Sequence, residues 1–261
     1  MNKLQKTVFF ICLSFFYLTF VYSQTNAQND IRQLNRQGKD HFKAGQYGEA
    51  KATFFKAFEL YDPSKQQDKS IHVETLNGLA KVNLKEGFFD KADALLAEAL
   101  DMQNEKTEQT SVVYAETLNN IARLNMERQQ YGNVLELLDR AIEIRKRELG
   151  EVHADYAESL RNLGYFYLFA GQLDKADSLL HEAAEIRLKS AGEWSLEYAY
   201  SLLALGSYYF FIHDFGKTEE NHARCLEIIR MIVGENHLDY AEEWINNAGK
   251  YFFLLIGSVK K

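Results

Sequence analysis

The chain repeats itself every 42 residues, and this period limits what it can fold into more than any other feature does. One register carries Leu34, Leu76, Leu118, Leu160, Leu202 and Trp244. Four residues on, a second carries Gly38, Ala80, Ala122, Gly164, Gly206 and Ala248. A third carries Tyr47, Phe89, Tyr131, Leu173 and Phe215, and a fourth Ala57, Ala99, Ala141, Ala183 and Cys225. No insertion or deletion interrupts the pattern from residue 30 to the end. A constant period of this size marks stacked supersecondary units, each touching its neighbours. Residues 30–261 of the 261-residue chain then form one elongated array rather than two globular domains.

Residues 155–192 serve as the type unit. Asp155, followed three residues on by Glu158, reads as an N-cap with a capping-box-like partner, and Asp239 and Glu242 repeat the pair. Tyr156, Leu160, Leu163, Tyr167 and Leu168 then recur at spacings of a helical stripe. Gly171-Gln172 ends this first helix through a residue free to take positive φ. Leu173, Ala176, Leu179, Leu180, Ala183 and Ile186 trace a second helix that stops near Ala191-Gly192. Two short antiparallel helices cannot bury both stripes alone, so each hairpin has to stack on the next. Gly164 and Ala183 let the paired backbones approach, and a bulky residue at Gly164 or Gly206 overpacks that contact by ~1–3 kcal/mol.

The run Leu160, Leu163-Gly164, Tyr167, Gly171, Ala176, Leu180, Ala183 resembles the tetratricopeptide repeat, whose usual period is about 34 residues. The longer spacing is similar to the kinesin light chain variety. So are the words Tyr-Ala-Glu-Thr-Leu-Asn-Asn-Ile-Ala at 114–122 and Leu-Gly-Glu-Val-His-Ala-Asp-Tyr-Ala at 149–157. The resemblance implies an all-α, right-handed α-solenoid of stacked antiparallel hairpins. Its repeats are expected at 30–71, 72–113, 114–155, 156–197 and 198–239, with a partial sixth at 240–261.

Residues 1–23 stand outside the pattern. Lys3 and Lys6 precede an apolar run from Thr7 to Tyr22, and Val21 and Ser23, or Thr25 and Ala27, supply the small residues of a cleavage site. We expect a signal peptide at 1–23, a linker at 24–29, and an exported protein, periplasmic or secreted, with no membrane contact after cleavage. Cleavage removes two lysines and no acid, taking the formal charge from −7 to −9. That balance argues against nucleic acid as a partner. Cys225 becomes the sole cysteine, in the alanine register, and reads as a small buried hydrophobe.

Catalytic and metal-binding patterns are missing. His153 and His237 lie two periods apart in the same loop, no zinc-ligand spacing occurs, and no Gly-x-Ser-x-Gly or phosphate-binding glycine loop is present. The expectation is a non-enzyme with no cofactor and no metal. The first-helix faces off the apolar stripe are more informative. Asn35, Asn77 and Asn119 share one register, and Lys39, Lys81 and Arg123 another four residues later, hence on the same helix face. An Asn can both donate to and accept from a peptide backbone, and the cations suit carboxylates. This resembles the clamp by which several tetratricopeptide domains hold peptide ends, with Asn119, Asn120 and Asn162 at the Asn positions of the kinesin light chain type. In later repeats the face turns aromatic, through Tyr165, Phe169 and Phe211. Glu74, Glu116, Glu158 and Glu242 form a further ladder near helix starts, where the dipole favours acids.

These readings predict a scaffold that binds an extended peptide or partner protein in a concave groove. Two alternatives attach to the carboxyl terminus, where Phe252 to Ile256 is apolar all round. The chain would be the regulatory array of a larger CHAT-type protease or sensor, or it would self-associate, as a homodimer, through residues 240–261.

Overall fold

Each period folds as a helical hairpin whose turn is set by one residue of positive φ. The computed structural model describes residues 28–65, 68–104 and 108–235. The expected signal peptide and the partial sixth repeat fall outside these residues. The first hairpin is α1 (28–43) with α2 (Tyr47–Leu60). Four more follow: α3 (Lys69–Lys85) with α4 (Phe89–Asp101), and α5 (Val112–Glu127) with α6 (Val134–Leu149). Then come α7 (Ala154–Phe169) with α8 (Leu173–Ala191) and α9 (Leu196–Phe211) with α10 (Phe215–Val233). The described residues hold ten α-helices, two short 3-10 turns and no strand. Successive helices pack on each other, and α3, α5, α7 and α9 also touch in sequence, which is the contact pattern of a solenoid. The fold class is the expected one.

The close fit within a hairpin rests on paired volumes. The first helices carry Gly38, Ala80, Ala122, Gly164 and Gly206 opposite Phe54, Leu96, Leu138, Leu180 and His222 of the second helices. A Cβ built at Gly164 would lie 2.6 Å from Leu180 Cδ2, and one at Gly206 2.2 Å from His222 Cδ2. Phe54 is so large that it excludes a Cβ at both Gly38 and Gly78. Ala57, Ala99, Ala141, Ala183 and Cys225 are all fully buried, so the cysteine sits where expected.

Helix starts differ in one respect from the sequence reading. Ser111, His153 and Ser195 share a register and each caps its first helix. Ser111 Oγ accepts from Tyr114 N at 3.1 Å, and Ser195 Oγ from Tyr198 N at 3.2 Å. His153 Nδ1 accepts from Asp155 N at 3.1 Å, so His153, not Asp155, is the cap of α7. Asp155 is the second residue of α7, an acid in the first turn rather than the cap.

The hairpin turns fall at Gly45, Gly87, Gln129, Gly171 and His213, with φ of 73°, 76°, 58°, 71° and 62°. Two of the five thus place a side chain where its Cβ crowds the backbone. Replacing Gln129 by Gly is expected to raise stability by ~0.5–1 kcal/mol, the relief of strain outweighing the added freedom of the unfolded chain. Thermal or denaturant unfolding of Gln129→Gly checks this.

His72 supplies a pH dependence. It is buried, stacked on Tyr61 at 3.9 Å and tilted against Phe58 at 5.2 Å, with Nδ1 lacking a hydrogen-bond partner. Burial lowers its pKa to about 4, although Glu98 lies 3.8 Å from Nε2. The folded state therefore refuses a proton that the unfolded state accepts below about pH 6.5. Stability is fully present above that pH and falls towards pH 4, by at most about 3 kcal/mol. Melting curves of His72→Phe between pH 7 and pH 4 should show a shallower decline than those of the natural chain.

Candidate functional site: a cationic and aromatic cavity on the concave face

The asparagine ladder is not part of the open groove. Asn35, Asn77, Asn119 and Asn120 are at most 1% exposed, and Asn162 is 2% exposed. Asn35 Nδ2 donates to the Ile71 carbonyl at 2.8 Å, and its Oδ1 accepts from Thr75 Oγ1 at 2.8 Å. One period later Asn77 Nδ2 donates to Thr117 Oγ1 at 2.8 Å and to the Val113 carbonyl at 3.4 Å. Asn119 Oδ1 accepts from Ser159 Oγ and from Asn162 Nδ2, both at 3.1 Å. Asn120 Nδ2 reaches Asn77 Oδ1 at 3.4 Å. These amides pin α1 to α3, α3 to α5 and α5 to α7. Apart from Asn119 Nδ2, which has no hydrogen-bond partner, they pair buried polar groups between repeats, which corrects their reading as rungs for a peptide backbone.

The third junction changes partner. The Asp155 carbonyl, counterpart of Ile71 and Val113, accepts instead from Arg145 Nη1 at 2.7 Å, and the same nitrogen donates to Ser159 Oγ at 2.8 Å. Arg145 is 1% exposed and stands where Gln103 stands one repeat earlier. Gln103 likewise pairs with Thr117.

The cations that face the groove hold acidic side chains of later repeats. Lys39 Nζ donates to Glu74 Oε2 at 3.0 Å. Burial works to lower the Lys39 pKa, but Glu116, Glu74 and Asp155 together hold it above its ordinary value. Lys81 crosses two repeats, with Nζ 3.0 Å from Glu158 Oε1 and 3.2 Å from Oε2. Arg145 Nη1 is 3.8 Å from Glu158 Oε2. Desolvation alone would raise the Glu158 pKa, but Lys81, Arg145 and Arg187 outweigh it and keep the carboxyl far below its usual range. Glu158 is thus a buried charge hub rather than a dipole-favoured residue at a helix start. Arg123 makes no hydrogen bond or ion pair among the described residues.

The array curves until its first and fifth hairpins meet. The hydroxyls of Tyr47 and Tyr200 share a hydrogen bond of 2.9 Å, and Lys85 Nζ lies 4.9 Å from the Tyr200 ring centroid. Beneath this arch is a cavity of ≈ 570 Å³. Lys81, Arg123, Asn162, Tyr165 and Phe169 of the expected site line it; Asn35, Lys39, Asn77, Asn119, Asn120 and Phe211 do not. Phe211 nevertheless packs edge-on against Phe169 at 6.3 Å, and both remain largely exposed, at 46% and 59%. Arg161 and Arg187 also line the cavity and were missed by sequence reading. The signal for them was faint: Arg161 replaces the asparagine of its register, and Arg187 follows Arg145 by one period.

Comparison with known proteins agrees with this architecture. The tetratricopeptide repeat family model matches residues 113–189, which span α5 to α8. BtubC (BKLC) from P. vanneervenii is similar in structure at a TM-score of 0.55 and 21% identity, over 82% of this chain and 92% of that one. Two structures of the nearly identical TPR-like repeats of a putative kinesin light chain from Podosopora anserina are also similar. One gives a TM-score of 0.51 at 18% identity, over 78% of this chain and 96% of that one. The other gives 0.50 at 18%, over 79% and 98%. A sequence search of curated proteins finds no match. The described array is an all-helical solenoid of the tetratricopeptide type.

A staple between repeats and a rung for a ligand respond differently to mutation. Asn77→Ala should cost ~1–3 kcal/mol, because Thr117 and Asn120 lose a buried partner. Urea unfolding measures the loss, and the cavity variants below should not share it.

Proposed function

We propose that the chain is a binding scaffold whose concave face holds an extended segment of a partner protein, acidic at one end and apolar at the other. The tetratricopeptide fold is typical of protein–protein interaction scaffolds. The observation that carries the reading is the polarity of this face. Lys81 and Arg123 come from α3 and α5, Arg161 and Arg187 extend the cationic lining into the fourth hairpin, and the exposed Phe169 and Phe211 rings of α7 and α9 form the apolar end. Arg123 has a charge to offer, since no acid of the described residues pairs with it. Phe169 and Phe211 present exposed rings that gain by being covered. None of the described helices is long and apolar enough to cross a membrane.

Lys39 and Lys81 direct their charge largely at Glu74 and Glu158, so they contribute less to a ligand than their spacing suggests. A labelled peptide with a run of glutamates followed by leucine and phenylalanine tests the reading by fluorescence anisotropy. Arg123→Glu should weaken its binding at least about tenfold and reduce the salt sensitivity, and Phe169→Ala with Phe211→Ala should weaken it at all salt concentrations. Unaltered binding in both variants, with unchanged melting temperature, counts against the concave face as the site.

A further inference from the structure

The cavity under the Tyr47–Tyr200 arch holds more buried positive charge than its own acids pair with. Arg187 is 7% exposed, its Nε has no hydrogen-bond partner, and the side chain makes no direct ion pair among the described residues. Glu158, Glu197 and Asp155 act on it without a direct bond. Arg161 lies beside it as a second guanidinium and contacts the Tyr165 ring at 5.7 Å, again with no direct ion pair. Glu158 does not make up the deficit, because Lys81 spans both of its oxygens and Arg145 approaches one. A buried guanidinium left without a partner is costly unless something supplies the missing acceptors.

The space is sized for a small molecule. A volume of ≈ 570 Å³ falls in the usual range for ligand pockets, and the arch crosses above it. Its lining also carries the aromatic rings of Phe42, Tyr47, Tyr165 and Tyr200, and the cations Lys43, Lys81, Lys85, Arg123, Arg161 and Arg187 outnumber the acids Glu127, Asp155, Glu158 and Glu197. Planar guanidinium groups match a carboxylate in two parallel hydrogen bonds, and tyrosine faces match a flat ring.

We propose that this cavity is a receptor site for a small aromatic carboxylate, its carboxylate gripped by Arg161 and Arg187 and its ring lying among the tyrosines. The site does not depend on the partner-binding reading, and a bound small acid would compete with a peptide for Arg123 and Tyr165.

The test uses the full chain and three probes, benzoate, 2-naphthoate and indole-3-acetate, titrated by calorimetry alongside their neutral amides. At least one acid should bind saturably at one per chain, with its amide at least about tenfold weaker. Arg187→Met should weaken the acid by at least about tenfold. Because Arg187 is buried, Arg161→Met, at a half-buried position, provides a second variant with the same expected loss. Lys56→Met, at an exposed position of α2 outside the cavity, should leave binding unchanged. The proposal is overturned if no acid binds saturably, if acid and amide bind alike, or if a folded Arg161→Met chain binds as tightly as the natural one. A capped acidic peptide separates the two readings. Arg123-dependent peptide binding without any free-acid binding sinks this site and leaves the scaffold reading standing; free-acid binding without peptide binding does the reverse.

Discussion

The structure depends on one recurring contact, a small residue of each first helix facing a large residue of the second. Gly38 with Phe54, Ala80 with Leu96, Ala122 with Leu138, Gly164 with Leu180 and Gly206 with His222 are five versions of it. The pairs trade volume: where the second-helix residue is a phenylalanine, two glycines make room, and where it is a leucine, alanine is tolerated in two hairpins. Interiors packed at this density leave little slack, so the contact sets how closely the two helices of a hairpin lie. That closeness in turn lets short asparagine and threonine side chains reach from one hairpin to the next.

Those side chains form the second layer of organisation. Asn35 with Thr75, Asn77 with Thr117 and Asn119 with Ser159 are amide–hydroxyl pairs at the same register one period apart, with Asn35 and Asn119 accepting from the hydroxyl and Asn77 donating to it. They bury polar groups that would be costly to leave unpaired, and so they favour one register between hairpins over all others. Where Arg145 enters the third junction, a cation is drawn into the interior, and Glu158 collects it together with Lys81. The electrostatic centre of the concave face is therefore built by the junctions between repeats, not laid over them.

How much of this was legible differs by layer. The period, the hairpin turns at Gly45, Gly87 and Gly171, and the alanine register through Cys225 are written in residue type, because each answers a local or nearest-neighbour steric demand. The asparagines misled for a definable reason. A spacing of four places Asn35 and Lys39 on one face of α1, but it does not say at what height the next hairpin covers that face. The cover reaches Asn35 and stops short of Lys39. Arg145 and Arg187 were hidden for the opposite reason: their register also holds Tyr61, Gln103 and Ile229, so no shared residue type singled them out.

The sequence by itself determined the helices, their pairing into hairpins and the stacking of those hairpins, because these follow from spacing, turn residues and side-chain volume within one period. Tertiary structure alone decided that the curvature brings Tyr47 to Tyr200, that Lys81 reaches Glu158 two hairpins away, and that Arg161 and Arg187 share a cavity. Each of those is the sum of small rotations accumulated over several repeats. A sum of that kind is a property of the whole stack, and no single period of the chain encodes it.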